Sequence, residues 1–382
     1  MRTLSKTRLT HYRPSSFMAA PFFLLLCGLS AQAAAPQAEI DQAAKLVLQA
    51  RDTQNPKDFM AAGEAAAKAL ATDPQNLDAQ IYQAISLLGQ EDLTAAMDLA
   101  TRLNKRVPDD IRIWALLSEI HAARGNYAEA ERCAQWVLDL RRNHPLGFSS
   151  AARLREVYGD YVGAAEFYTE AQRRSPQSDA EERSSLMVQV ARMLFRTKDL
   201  MGAASMLDQA EKLFPASLQV LAQKAELARL NGDFALAASL LAKESQASPT
   251  AEHLYWYAQA LVRAGRQDEA KTIFEKLDAA PQENGPELIL LYADQKKSPE
   301  RALTLATRQI SVREDAPTLD AYAWALFRAG KFTEARTQID RLLALGTRDP
   351  LYACHAVRIA AETRSIDSAA AHLPETTCDS IQ

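Results

Sequence analysis

Cysteine is scarce in this chain, with four in 382 residues, and so are glycine, with thirteen, and histidine, with six. So few cysteines, with no Cys-x-x-Cys and no paired His/Cys spacing, exclude a disulfide-framed miniature fold and give no sign of a metal centre. No Gly-rich phosphate loop, no Gly-x-Ser-x-Gly elbow and no His-Glu-x-x-His occurs, so none of the local patterns of nucleotide binding or hydrolysis is available. No cofactor is expected. Runs of β-branched residues are also missing, which argues against a sheet-based fold. What remains is apolar and helical: 48% hydrophobic residues dominated by alanine and leucine, with a formal net charge of only −4. A chain with a net negative charge has no overall field suited to nucleic acid.

Ten alanines supply the organisation. Ala62, Ala96, Ala130, Ala164, Ala203, Ala237, Ala270, Ala302, Ala335 and Ala369 follow one another at steps of 34, 34, 34, 39, 34, 33, 32, 33 and 34 residues. A small residue recurring at this period is what a stack of helical hairpins needs, because two helices cross closely at that point. A second small row, Ala50, Ala84, Ser118, Ala152, Ala191, Ala225, Ala258 and Ala323, stands twelve residues before the first and should face it. Phe59, Leu93, Tyr127, Tyr161, Leu200, Phe234 and Phe332 should plug each hairpin. Gly125, Gly159, Gly232 and Gly330 mark the turn within units, and Pro74, Pro108, Pro176, Pro215, Pro249 and Pro281 mark the stop between them. The 39-residue step, with Ser178 and Glu181 at capping-box spacing, predicts a lengthened first helix in the fifth unit. The stretch from Pro281 to Pro299 predicts a shortened one in the eighth.

These residues resemble the tetratricopeptide repeat family. The third unit is nearest its pattern, with Trp114, Leu117, Ser118 and His121 followed by Gly125, Asn126, Tyr127 and Ala130; His121 stands where the family usually carries an aromatic. The resemblance implies an all-α, right-handed superhelical solenoid of about ten antiparallel helix-turn-helix repeats over residues 43–373. It also implies a non-enzymatic scaffold that binds a protein or extended peptide on the concave surface formed by the first helices. The groove positions it assigns include Arg153, Arg192, Arg196 and Arg229 in the middle, then Tyr255, Trp256, Gln259 and Trp324 toward the C-terminal side. The arginines predict an acidic segment in the partner, since guanidinium groups suit carboxylates. The aromatics predict either an apolar stretch of that partner or, as an alternative, stacking on a carbohydrate polymer. A hydrolase with an unrecognised site is a third reading. The Lys and Asn places of the chaperone-binding carboxylate clamp are not matched here.

The N-terminus is different material. Arg2, Lys6, Arg8 and Arg13 precede an apolar run from Phe17 to Leu29 and an Ala31-Gln32-Ala33 end. This is the pattern of a secretory signal over residues 1–33, followed by a lead-in at 34–42, the solenoid, and a tail at 374–382. The run is too short for a comfortable membrane span. Cys27 is a poor lipidation site because Leu26 precedes it, so the expected product has no integral span and is periplasmic or secreted. Loss of the four basic residues leaves 40 Lys and Arg against 48 Asp and Glu, a balance of −8. Export permits a bridge between Cys354 and Cys378, while Cys133 has no evident partner. N-terminal sequencing of the protein from its native cells should read from about Ala34; a soluble protein still carrying Met1 would overturn the export reading.

Overall fold

The structure, a computed structural model, describes residues 26–279, 285–294 and 299–363. Among them all regular structure is helical. In the first half α1 (Leu26–Thr53) pairs with α2 (Pro56–Thr72), α3 (Leu77–Gly89) with α4 (Leu93–Arg106) and α5 (Ile111–Ala123) with α6 (Tyr127–Leu140). Next come α7 (Pro145–Val157) with α8 (Tyr161–Arg174) and α9 (Ala180–Arg196) with α10 (Leu200–Leu213). The second half pairs α11 (Leu218–Leu230) with α12 (Phe234–Ala247), α13 (Ala251–Arg263) with α14 (Gln267–Ala279), and α15 (Pro286–Asp294) with α16 (Pro299–Ile310). It ends with α17 (Ala316–Arg328) and α18 (Phe332–Ala344), after which α19 (Pro350–Thr363) opens a tenth unit. Ala369 and the rest of that unit lie outside the described residues, as do most of the signal segment and the C-terminal tail.

The two alanine rows are the crossing points. Every described member from Ala62 to Ala335 is at most 1% exposed, and so are Ala50, Ala84, Ala152, Ala191, Ala225, Ala258 and Ala323. Ser118 keeps its place in the second row by donating its hydroxyl to the carbonyl of Ala130, the facing member of the first, at 2.8 Å. Second helices start on aspartates: Asp92, Asp160, Asp199 and Asp233 each accept a hydrogen bond from the backbone amide three residues on. The fifth unit has the lengthened first helix, 17 residues in α9, but its cap is Asp179 rather than Ser178, because the Asp179 carboxylate accepts from the Glu182 amide. The shortened helix of the eighth unit is α15, with nine residues. Residues 34–42 are not a separate lead-in but part of α1, where Ile40 packs with Ala69 and Ala79.

The array also closes on itself, which the sequence reading did not anticipate. Turns of the N-terminal half sit against connections of the C-terminal half. The Glu314 amide donates to the Ala123 carbonyl at 3.3 Å, and the Arg348 amide to the Tyr158 carbonyl at 3.0 Å. Gly125 and Gly159 lie at those points with φ of 72° and 78°. A Cβ at Gly125 would stand 2.5 Å from the Glu314 carbonyl oxygen, and one at Gly159 would stand 2.8 Å from the carbonyl carbon of Arg348. Glycine is thus required twice over, by a left-handed backbone and by close approach. Tyr127 and Tyr161 do more than plug hairpins. The Tyr127 hydroxyl accepts from the Ala316 amide at 2.7 Å, and the Tyr161 hydroxyl donates to Asp349 at 2.5 Å.

A second closure joins α1 to α11 and α12. Asp52, at the end of α1, accepts from the Ser217 hydroxyl at 2.7 Å and the Leu218 amide at 2.9 Å, so it satisfies amides at the start of a helix some 165 residues away. Ser248 donates to the Thr53 carbonyl at 3.1 Å. Nearby, Glu244 is 3% exposed and stands 3.2 Å from Nε2 of His253. Burial, and then the charge of Asp52, push its carboxyl up to about 7. Because this lies above the ordinary value of 4.5, the folded state holds the proton more tightly than the unfolded chain. The stability this group contributes is complete below pH 4.5 and falls away as pH rises toward 7. Each unit of displacement corresponds to about 1.4 kcal/mol. Denaturant unfolding should therefore show the wild type losing stability relative to Glu244→Gln as pH rises across that interval.

Candidate functional site

First helices of several successive units pack side by side, and charged side chains on four of them converge. Arg51 of α1, Glu119 of α5, Arg153 of α7 and Glu182 of α9 lie close enough to influence one another's ionisation. Burial would raise the Glu119 carboxyl, but Arg153 and then Arg51 outweigh it and hold it below the usual carboxylate range. Glu182 is raised, chiefly by burial, against the opposing pull of Arg51. This cluster carries both signs.

The arginines expected to act as one anion-binding patch are each tied to a carboxylate. Arg153 pairs with Glu119, and Arg192 with Glu156 at 3.0 Å, while Arg192 also donates to Gln189 at 2.6 Å. Arg196 is drawn out of the row altogether. It pairs with Asp349 at 2.5 Å, donates to the Tyr161 hydroxyl at 2.8 Å and lies over the Tyr161 ring, as part of the closure between halves. Arg229 forms two 2.7 Å hydrogen bonds to Glu226 on its own helix. Arg153 and Arg192 remain accessible, their side chains 45% and 42% exposed on neighbouring first helices.

The aromatic side of the expected groove is corrected more sharply. Trp324 is 1% exposed, and Tyr255 is 5% exposed. Both belong to one apolar core with Ile289 and Tyr292 of α15. The Trp324 indole donates to Asp294 at 2.8 Å, and its ring stacks on His355 with centroids 4.0 Å apart. Tyr255 accepts a hydrogen bond from Gln259 at 2.8 Å, so that amide is engaged too. Trp256 is half-buried against the same core, edge-on to Tyr255. α15 and α17 pack against each other within this core, so side chains assigned to an open groove are interior. Rings spent on packing in this way are not free to stack on a partner or a sugar.

The same packing buries a His–Asp pair the sequence did not bring together. His355 Nδ1 lies 2.8 Å and 2.9 Å from the two carboxylate oxygens of Asp320, with the residues 1% and 0% exposed. The Asp320 carboxyl is raised by burial, with His355 opposing the rise. With the outer imidazole nitrogen also buried and without a hydrogen-bond partner, the pair has no path to a substrate and serves as a polar strut. Cys354, 4% exposed, is disulfide-bonded. Its expected partner Cys378 lies outside the described residues. Cys133 is a free, buried thiol.

Among the described residues no helix is long and apolar enough to cross a membrane, and no group of His, Cys, Asp and Glu is placed to hold a metal ion. A search of curated protein sequences found no match. Solved structures share the fold. The APC/C hetero-tetramer Cut9-Hcn1 matches with a TM-score of 0.50 and 16% identity, over 79% of this chain and 52% of that one, so this chain spans about half the length of that relative. A human IFIT1 dimer with PPP-AAAA matches with a TM-score of 0.50 and 14% identity, over 81% and 86% of the two chains. PilW, described as a widely conserved type IV pilus biogenesis factor, gives a TM-score of 0.46 and 13% identity, over 54% of this chain and 93% of that one. Family profiles described as tetratricopeptide repeat match residues 56–120, 116–179, 224–284 and 316–341, more than half of the sequence. The alanine crossings, the aspartate-capped hairpins and these matches together make the chain a member of the tetratricopeptide repeat family.

Proposed function

We propose that this protein is a non-enzymatic scaffold outside the cytoplasm, holding an extended segment of a partner protein against the inner face of its N-terminal half. Members of the family generally serve as protein-binding scaffolds. The observation that carries the finer reading is the pair of half-exposed guanidinium groups, Arg153 on α7 and Arg192 on α9, each anchored on one side by a carboxylate. Anchoring fixes each planar group while its side chain stays partly exposed, which reduces the ordering cost of capture. An acidic side chain of the partner bridges the two arginines, and donors of the same segment reach Glu182. Export rests on the basic and apolar N-terminal segment. Envelope assembly, secretion or protein maturation are the settings in which such a scaffold acts.

A photocrosslinking residue at Gln189 should capture a defined partner in the native cells, and one at Met201, which is 87% exposed, should not. Arg192→Glu should leave the helical signal unchanged, weaken that capture and reduce the salt sensitivity of what remains. Capture from position 201 alone, or capture indifferent to Arg192→Glu, would move the binding surface away from the inner face.

A further inference from the structure

A separate cavity of about 370 Å³ opens where α4 and α6 lie over α5. Its origin is legible in the repeat. His121 occupies a place that the family usually fills with an aromatic ring, and the shorter imidazole leaves room beside Leu117 and Cys133. Two indoles form one wall. Trp114 is fixed by its N–H, which donates to the Pro108 carbonyl at 2.7 Å, and Trp136 stacks on it with centroids 5.7 Å apart and planes 22° from parallel. Trp136 is 51% exposed. A large ring left half open on a tethered neighbour is a flat apolar platform.

Polar atoms line the same cavity without partners. Asn104 Oδ1 and His121 Nδ1 are withdrawn from solvent and make no hydrogen bond. Leaving two such atoms unsatisfied is costly, and an acceptor pair beside an apolar wall is what a ligand with hydrogen-bond donors relieves. Burial holds His121 below its ordinary value, so the ring is neutral and can accept. Glu129 and Arg132 at the cavity are paired with each other, so no net charge is offered.

We propose that this cavity is a saccharide site, in which a neutral pyranose lays its C–H face on Trp136 while the half-buried Asn104 and His121 side chains turn Oδ1 and Nδ1 toward its hydroxyls, which donate to them. A pyranose carries the apolar face and several donors within one ring. A peptide backbone offers only one N–H donor per residue. The cavity shares no lining residue with Arg153, Arg192 or their partners, and the assignment is independent of the peptide reading. It also moves sugar stacking away from the buried Tyr255 and Trp324.

The test titrates the purified protein with chitotriose, cellotriose and maltotriose by calorimetry and tryptophan fluorescence. Cys133, the free thiol lining the cavity, gives a local readout through its alkylation rate, followed on its own peptide by mass spectrometry. At least one trisaccharide should bind saturably and slow Cys133 alkylation. Trp136→Ala should weaken binding by about tenfold or more. His121→Tyr restores the family aromatic and fills the cavity, so it should abolish binding while keeping or raising stability. Four results would each overturn the assignment: no saturable binding by any of the three; binding that leaves Cys133 unprotected; binding that survives His121→Tyr; or protection of Cys133 by decaproline alone, which would reassign the cavity to a peptide.

Discussion

Two backbone contacts tie the two halves of this molecule together, where the turns at Gly125 and Gly159 meet the chain at Glu314 and Arg348. Ordinary stacking makes each hairpin answerable to its neighbours alone. Here units three and four are also answerable to units nine and ten. Tyr127, Tyr161 and Arg196 add side chains to the same junction, and Asp52 makes a second junction between the first unit and the sixth. The arginines of α7 and α9 stay accessible, whereas the aromatics of α13 and α17 are interior through local packing with α15.

Most of the fold was readable from the sequence, because its determinants are local and repeated. A 34-residue period with alanine at the crossing, aspartate or glycine at the turn and proline at the stop constrains each hairpin several times over. The lengthened α9 and the shortened α15 followed from counting. The cap at Asp179 was missed because two adjacent residues, Ser178 and Asp179, both have capping side chains, and only the backbone decides between them. Closure was missed for a different reason. It depends on the accumulated rotation of five or six units, which no single unit encodes. The signal was there in a small form: tyrosine, rather than phenylalanine or leucine, at the plug position of units three and four only.

The binding face was less legible. Position within a repeat says which way a side chain points, not how near the next helix stands. Trp324 occupies a groove position by count and a core position by packing, with Asp294 and His355 against it. Arg196 similarly leaves the row because Asp349 comes within reach from the far end of the chain. In both cases a long-range approach overrode a correct local assignment. The cavity beside Trp136 was hidden for the opposite reason. His121 was recognised as an odd residue at an aromatic place, but a missing ring volume shows itself only when the neighbouring helices are present.

The junctions at Gly125 and Gly159 bear on how such a chain can vary. In an open stack, a unit may be duplicated or lost with little consequence beyond length. Here the paired contacts, 125 with 314 and 159 with 348, lie about 190 residues apart in each case. Adding or removing one hairpin between them would carry each turn past its counterpart by a whole unit. The count of repeats between the paired contacts is therefore fixed by the closure, as the strand count is in a closed barrel.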